Sequence, residues 1–100
     1  MKGKTITNKI LKYLKEQPCC FAFKEHGGAY GTAGNPDIIC CCNGKFVAFE
    51  VKTPSGRLSK LQEITMQKIK NAKGIAHKVT SLAEFKEILD NLDILEGKKC

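Results

Sequence analysis

The dipeptide Asn43-Gly44 sits between two apolar runs, 37–42 and 45–52. A two-residue reversal of type I′ needs positive φ at both central residues, and Asn-Gly is the pair that tolerates this best. The spacing therefore predicts a tight antiparallel hairpin with a fixed register. Cys42 then faces Lys45, Ile39 faces Ala48, and Asp37 faces Glu50. Opposed residues hold their Cβ atoms about 4.5–5.5 Å apart. Two carboxylates are thus expected side by side on one face of a sheet. Lys52 lies two residues past Glu50, on that same face and roughly 6.5 Å along the strand.

The rest of the chain supplies layers for this hairpin. Residues 5–17 read as a helix, because Ile6, Ile10, Leu11 and Leu14 form one stripe of a 3.6-residue period, and Pro18 ends it. Residues 19–24 read as a strand with Cys19, Phe21 and Phe23 on one face. Residues 25–36 form a long glycine-punctuated loop, a kind more often functional than decorative. A loop over 53–58 leads to a helix opened by the capping box Ser59-x-x-Gln62, with Leu61, Ile64, Thr65, Ile69 and Ala72 as its expected buried side and Gly74 at C′. A strand over 75–80 follows. A second capping box, Ser81-x-x-Glu84, opens a helix whose stripe is Phe85, Ile88, Leu89 and Leu92. The order α-β-β-β-α-β-α means a mixed sheet flanked by helices, an α/β fold in one domain over 1–96 with a tail over 97–100.

Composition narrows the class. A chain of 100 residues with 42% hydrophobic and 27% charged residues is an ordinary globular domain. No window approaches the roughly 20 apolar residues of a membrane span, and the lysine-dotted N-terminus lacks the apolar core of a signal peptide. Five of the six cysteines fall in two tight runs, Cys19-Cys20 and Cys40-Cys41-Cys42, and no C-x-x-C pair occurs. Reduced, mostly buried cysteines in a cytoplasmic protein are the expectation, rather than a zinc site or a disulfide framework. The formal charge of +7 suits a polyanionic partner.

Two adjacent carboxylates repel each other, and one of them should take up protons more readily than usual. A hard divalent cation removes the repulsion, since Mg²⁺ binds through one or two carboxylates plus water and substrate phosphates. Lys52 would add a fixed positive charge next to a reacting phosphoryl group. The competing reading is a solvated strand face with Lys52 paired diagonally to Glu50. Against it, Glu50 and Lys52 lie among Phe46, Val47, Ala48, Phe49 and Val51, where isolated charges are costly. Arg57 and Lys60 flank the site and would neutralise phosphates, as would Lys9, Lys12 and Lys15. In the glycine loop, Tyr30 could stack on a base and His26 could contact a phosphate. Ordinary loop packing explains both equally well. No Walker A spacing is present.

Gly34-Asn35-Pro36-Asp37, Phe49-Glu50-Val51-Lys52-Thr53-Pro54 and Gly56-Arg57-Leu58-Ser59-x-x-Gln62 together resemble the virus-type replication-repair nuclease (VRR-NUC) family of the PD-(D/E)XK superfamily. The resemblance runs from about residue 6 to residue 92. It implies a restriction-endonuclease-like core. It further implies Asp37 and Glu50 as ligands of Mg²⁺ or Mn²⁺ with the Val51 carbonyl as a third, Lys52 acting on the attacking water, and Gln62 as the polar site residue of the following helix. It implies a phage-type homodimeric endonuclease acting on branched DNA such as four-way (Holliday) junctions. One departure stands out. Many members carry an acidic residue in the first helix, whereas the stretch around Thr7 and Asn8 has none. Glu16 falls late in that helix, and Glu25 is the candidate replacement. The alternative is a DNA-binding module of the same fold that lacks catalysis.

Overall fold

The computed structural model describes residues 2–25 and 34–92. Seven elements follow in order: α1 (Lys2–Lys15), β1 (Cys20–Lys24), β2 (Ile38–Cys42), β3 (Lys45–Val51), α2 (Lys60–Asn71), β4 (Ile75–Val79) and α3 (Leu82–Leu92). The strands form a sheet in the order β1-β2-β3-β4. β2 runs antiparallel to both β1 and β3, and β4 joins β3 in parallel after the α2 crossover. This is the mixed α/β architecture expected from the sequence. No helix among the described residues is long and apolar enough to cross a membrane.

The hairpin forms as its turn chemistry dictates. Asn43 and Gly44 have φ of 52° and 82°, and Cys42 pairs with Lys45, Ile39 with Ala48 and Ile38 with Phe49. Alternation then sorts the side chains. Ile38, Cys40, Cys42, Val47, Phe49, Val51 and Val79 join Ile10 and Leu14 of α1 and Phe85 and Leu89 of α3 in the main core. Phe85 lies edge-on to both Phe49 and Tyr13, with ring centroids 4.8 and 6.0 Å apart. The other sheet face is more thinly covered. Ala48, Ala76 and Met66 are buried there, beneath α2.

Several local expectations are corrected. α1 starts at Lys2 and ends at Lys15, not over 5–17. Its last turn tightens, with Gln17 N–H bonded to Leu14 O, and the Gln17 amide donates to Tyr13 O at 3.1 Å. Pro18 disfavours helical geometry at the residue before it. β1 begins at Cys20 because Cys19 is left-handed, with φ of 61°. The Phe21 and Phe23 face of β1 is its exposed side.

α2 buries a different stripe from the one expected. Gln62, Thr65, Met66 and Ile69 face inward to varying degrees, while Leu61, Ile64 and Ala72 are exposed. Ala48 and Ala76 are small enough for α2 to approach the sheet closely, and Met66 fills the space between.

Gly74 occupies C″ rather than C′. Its N–H bonds to Ile69 O, and Lys73 N–H bonds to Lys70 O, which together make a Schellman motif. Lys73 takes the left-handed position, at φ of 74°. Gly74 is needed for space: a Cβ there would lie 2.8 Å from Ile69 Cγ2. At α3, Ser81 Oγ accepts from Glu84 N–H, but Glu84 reaches back to Thr80 N–H rather than to Ser81.

The cysteines largely behave as small core residues. Cys40 and Cys42 are fully buried and free, and Cys41 points outward. Cys19 departs from the all-reduced expectation, being disulfide-bonded.

A non-glycine residue in the left-handed region costs about 1–2 kcal/mol. Lys73→Gly should therefore raise the unfolding free energy by about 1 kcal/mol, read as a higher urea midpoint with an unchanged slope. An unchanged or lower midpoint would show that the Lys73 backbone is not strained.

Candidate active site

Three strands and one loop carry the site. Pro36 is buried and leads directly into Asp37, the residue just before β2. Gly34, at φ of 89°, lets the incoming chain pass against α2: a Cβ there would meet Leu61 O at 2.8 Å. The hairpin register, extended by one pair, sets Asp37 opposite Glu50. The two side chains do come together, as the spacing predicted. The Glu50 carboxyl hydrogen-bonds with Asp37. Asp37 Oδ2 also accepts the Val51 N–H at 2.9 Å, which ties the carboxylate across the strand pair.

Glu50 is 2% exposed, and its Oε2 has no hydrogen-bond partner. Such an orphan is rare for a buried carboxyl oxygen and calls for an explanation. Burial, followed by the hydrogen bond and the negative charge of Asp37, pushes the Glu50 carboxyl up to about 8, and the Lys52 ammonium partly offsets this. Asp37 and Lys52 are half-buried, so the pair communicates with solvent through them. Lys52 is held by its own N–H, which bonds to Val79 O at 2.9 Å.

The remaining candidates are differently placed. Glu25 donates its N–H to the Asp37 carbonyl at 2.8 Å, which extends the β1–β2 register and places it beside Asp37 on the same face. Among the described residues, however, no three His, Cys, Asp or Glu side chains gather into a metal-holding group, so Glu25 is a neighbour of the pair and not a third carboxylate within it. Val51 turns its side chain into the core and gives its N–H to Asp37. Gln62 is committed to the capping box: its Oε1 accepts from Ser59 N–H at 2.8 Å, and its own N–H donates to Ser59 Oγ at 3.1 Å. Its amide nitrogen is the donor left for a substrate. Arg57 and Lys60 are exposed, on the loop before α2 and in its first turn. His26 and Tyr30 lie outside the described residues. Where the first helix might have offered an acid, Thr7 is buried and Asn8 is exposed.

Sequence reasoning missed Lys78. In the parallel ladder it is the partner of Glu50, on the same face, and its Nζ donates to Gly56 O at 2.8 Å. Gly56 closes a turn onto Thr53 O, and a Cβ there would lie 3.1–3.3 Å from Thr53 and Lys52. Lys78 therefore pins the loop carrying Arg57 against the site strand. Only the β3–β4 register could have revealed this, and no turn motif fixes a parallel register. The lysines of α1 lie across the sheet from α2, in the layer that also holds the acidic α3.

No protein-family model, curated protein or solved structure matches this chain.

The donor set fits a divalent cation in chemistry though not in number. Two adjoining carboxyls, one with a buried and unpartnered oxygen, are what such an ion would relieve, and the remaining ligands would have to come from backbone, water and phosphate. Without a cation, Glu50 keeps its proton near neutrality while the unfolded chain loses it near 4.5. The folded state then binds more protons, so stability is full below about pH 4.5 and falls as pH rises to about 8. In EDTA, Glu50→Gln should flatten this decline and be the more stable protein at pH 8, by an amount on the order of a few kcal/mol. Parallel pH–stability curves for the two proteins would show that Glu50 is not the group responsible.

Proposed function

We propose that this chain is a divalent-metal-dependent DNA endonuclease. The observation that supports the reading most directly is the Asp37–Glu50 carboxyl pair with the buried, unpartnered Glu50 Oε2 and with Lys52 on the same strand face. An uncompensated acidic pair in an apolar setting destabilises the fold, and such arrangements cluster at functional sites. The resemblance of the flanking motifs to VRR-NUC nucleases adds the substrate class, and the +7 charge accords with DNA.

In this reading Asp37 and Glu50 hold Mg²⁺ or Mn²⁺, with the Val51 carbonyl as a further ligand. The bound ion supplies Lewis acidity towards the phosphate and makes water easier to deprotonate. Lys52 orients the attacking water and counters the charge that builds up on the phosphoryl oxygens. The water oxygen bonds to phosphorus as the water's proton passes to solvent, the bond to the leaving sugar oxygen breaks, and that oxygen is protonated from solvent. Arg57, Lys60 and, outside the described residues, His26 and Tyr30 contact the DNA. Lys78 acts by positioning, since it holds Gly56 and with it the Arg57 loop. Branched DNA is the proposed substrate and a homodimer the proposed assembly, because cutting two strands at a junction takes two such sites. The compartment proposed is the cytoplasm of a bacterial or phage-infected cell.

A second reading has its own support. Glu50 is sealed from solvent and carries a proton near neutrality, and no third carboxylate joins the pair. Those features suit a DNA-binding module without catalysis.

A labelled four-way junction incubated with Mg²⁺ or Mn²⁺, against an EDTA control, separates the two. Metal-dependent cutting is expected, reduced at least about 100-fold by Asp37→Asn, Glu50→Gln or Lys52→Ala with junction binding retained, the scale set by losing one electrostatic group from a reacting centre. Junction binding without cutting at any metal concentration would leave the inactive module. Mg²⁺ should also raise the thermal midpoint of the wild-type protein at pH 7 and leave that of Asp37→Asn/Glu50→Gln unchanged. An equal rise in both would place the ion elsewhere.

A further inference from the structure

The described surface contains a second candidate site at the far end of β3. A cavity of about 620 Å³ opens between the β2–β3 turn and the C-terminal end of α2. Its size falls within the range of about 300–1,000 Å³ usual for ligand sites. The apolar lining comes from Phe46, Ile69 and Ile75, and Lys45, Lys68 and Lys73 stand on its rim, with no acidic residue in the lining. Phe46 is four residues before Glu50, about 13 Å along the strand, so this is not part of the carboxyl site.

Three features single out this place. First, the lysines come from three different segments, the start of β3, the α2 helix and the Schellman turn, so helical periodicity does not account for their convergence. Second, Lys73 holds a left-handed backbone that glycine or asparagine would adopt more easily, and such positions tend to persist where the side chain is used. Third, Phe46 is a large aromatic left 44% exposed in the lining, with its edge against Gly74, where a Cβ would lie 3.2 Å from Phe46 Cδ1. An aromatic platform ringed by ammonium groups matches a planar ring that carries phosphate. In single-strand recognition, aromatic side chains stack on bases while basic residues follow the backbone. A fully paired duplex keeps its bases stacked inside and has none to offer.

We infer that the cavity between Phe46 and the lysines Lys45, Lys68 and Lys73 binds an unpaired nucleotide of a DNA strand, the base against Phe46 and the flanking phosphates at the lysines. The choice of DNA rests on the nuclease reading above. Binding needs neither the carboxyl pair nor a metal, so the two ideas fail separately. If both hold, this site selects DNA with a single-stranded segment and so narrows the substrate to junctions, flaps or gapped duplexes with unpaired bases.

The test is fluorescence anisotropy with a short labelled oligo(dT) in EDTA, using the full chain carrying Glu50→Gln so that no cutting intervenes. Oligo(dT) should bind more tightly than a blunt duplex of equal length. Phe46→Ala should weaken oligo(dT) binding at least about fivefold while changing duplex binding little. The triple variant Lys45→Gln/Lys68→Gln/Lys73→Gln should lower the salt dependence, log K against log[salt], by about 2, as three lost phosphate contacts require. The lysines are exposed, so the triple variant is expected to fold, and its thermal midpoint checks this. Unchanged oligo(dT) affinity in Phe46→Ala together with an unchanged salt slope in the triple variant would overturn the proposal. So would competition by free dTMP as effective as by oligo(dT), which would make the cavity a mononucleotide site. Normal oligo(dT) binding combined with no cutting of any substrate would leave this site standing and remove the nuclease.

Discussion

The antiparallel register of Ile38–Cys42 against Lys45–Val51 is the constraint on which the rest of the molecule depends. A side-chain period of two means that a slip by one residue would exchange the faces of β2. Ile38, Cys40 and Cys42 would then leave the main core, and Asp37 would leave Glu50. The reversal at Asn43-Gly44 guards against this slip because few other sequences tolerate two successive positive φ values. Core formation and assembly of the carboxyl pair are therefore one event. The hydrophobic gain from Phe49, Val47 and Val51 on one face holds in place an acidic pair on the other that would not assemble by itself.

This coupling explains why Glu50 tolerates its position. Its neighbours along β3 are buried, and the strand cannot turn Glu50 outward without turning Phe49 and Val51 out as well. The carboxyl responds by keeping a proton and sharing it with Asp37, so that one acid is neutral and the repulsion is relieved. In the proposed reading, a cation would compete with the proton for the same oxygens. Such competition would tie metal affinity to pH, since an ion that has to displace the Glu50 proton binds more weakly as the solution becomes more acidic.

What could be read from the sequence was what local chemistry determines. Asn-Gly fixed a two-residue turn, and the pairing of Asp37 with Glu50 followed from counting. Ser59 and Gln62 marked the start of α2 because a capping box satisfies two backbone donors within four residues. What could not be read depends on partners distant in the chain. The α2 stripe was misplaced because Leu61 and Ile64 are apolar, whereas the helix seats itself where Ala48 and Ala76 leave room, and those lie in two different strands. Gly74 was assigned the left-handed position by propensity. The structure instead puts Lys73 there, because Gly74 is required one step later, where Ile69 leaves no space for a Cβ. Lys78 was invisible for the same reason: its place beside Glu50 depends on how β4 aligns with β3 across an intervening helix.

The first helix bears on the core and not on the face that carries the carboxyl pair. α1 packs on the core side of the sheet through Ile10 and Leu14, and at Thr7 it buries a small polar residue rather than an acid. A carboxylate at that point would add a buried charge on the apolar core face, across the sheet from Glu50. On the face of the pair, the backbone bond from Glu25, just past β1, to Asp37 sets Glu25 in the neighbouring row. Glu25 is half-buried, so its carboxyl group keeps contact with water. The physical consequence is a graded set across three strands: Glu50 sealed, then Asp37 and Glu25 half-open to water. Along this row burial increases from Glu25 and Asp37 to Glu50, which is closed off from water.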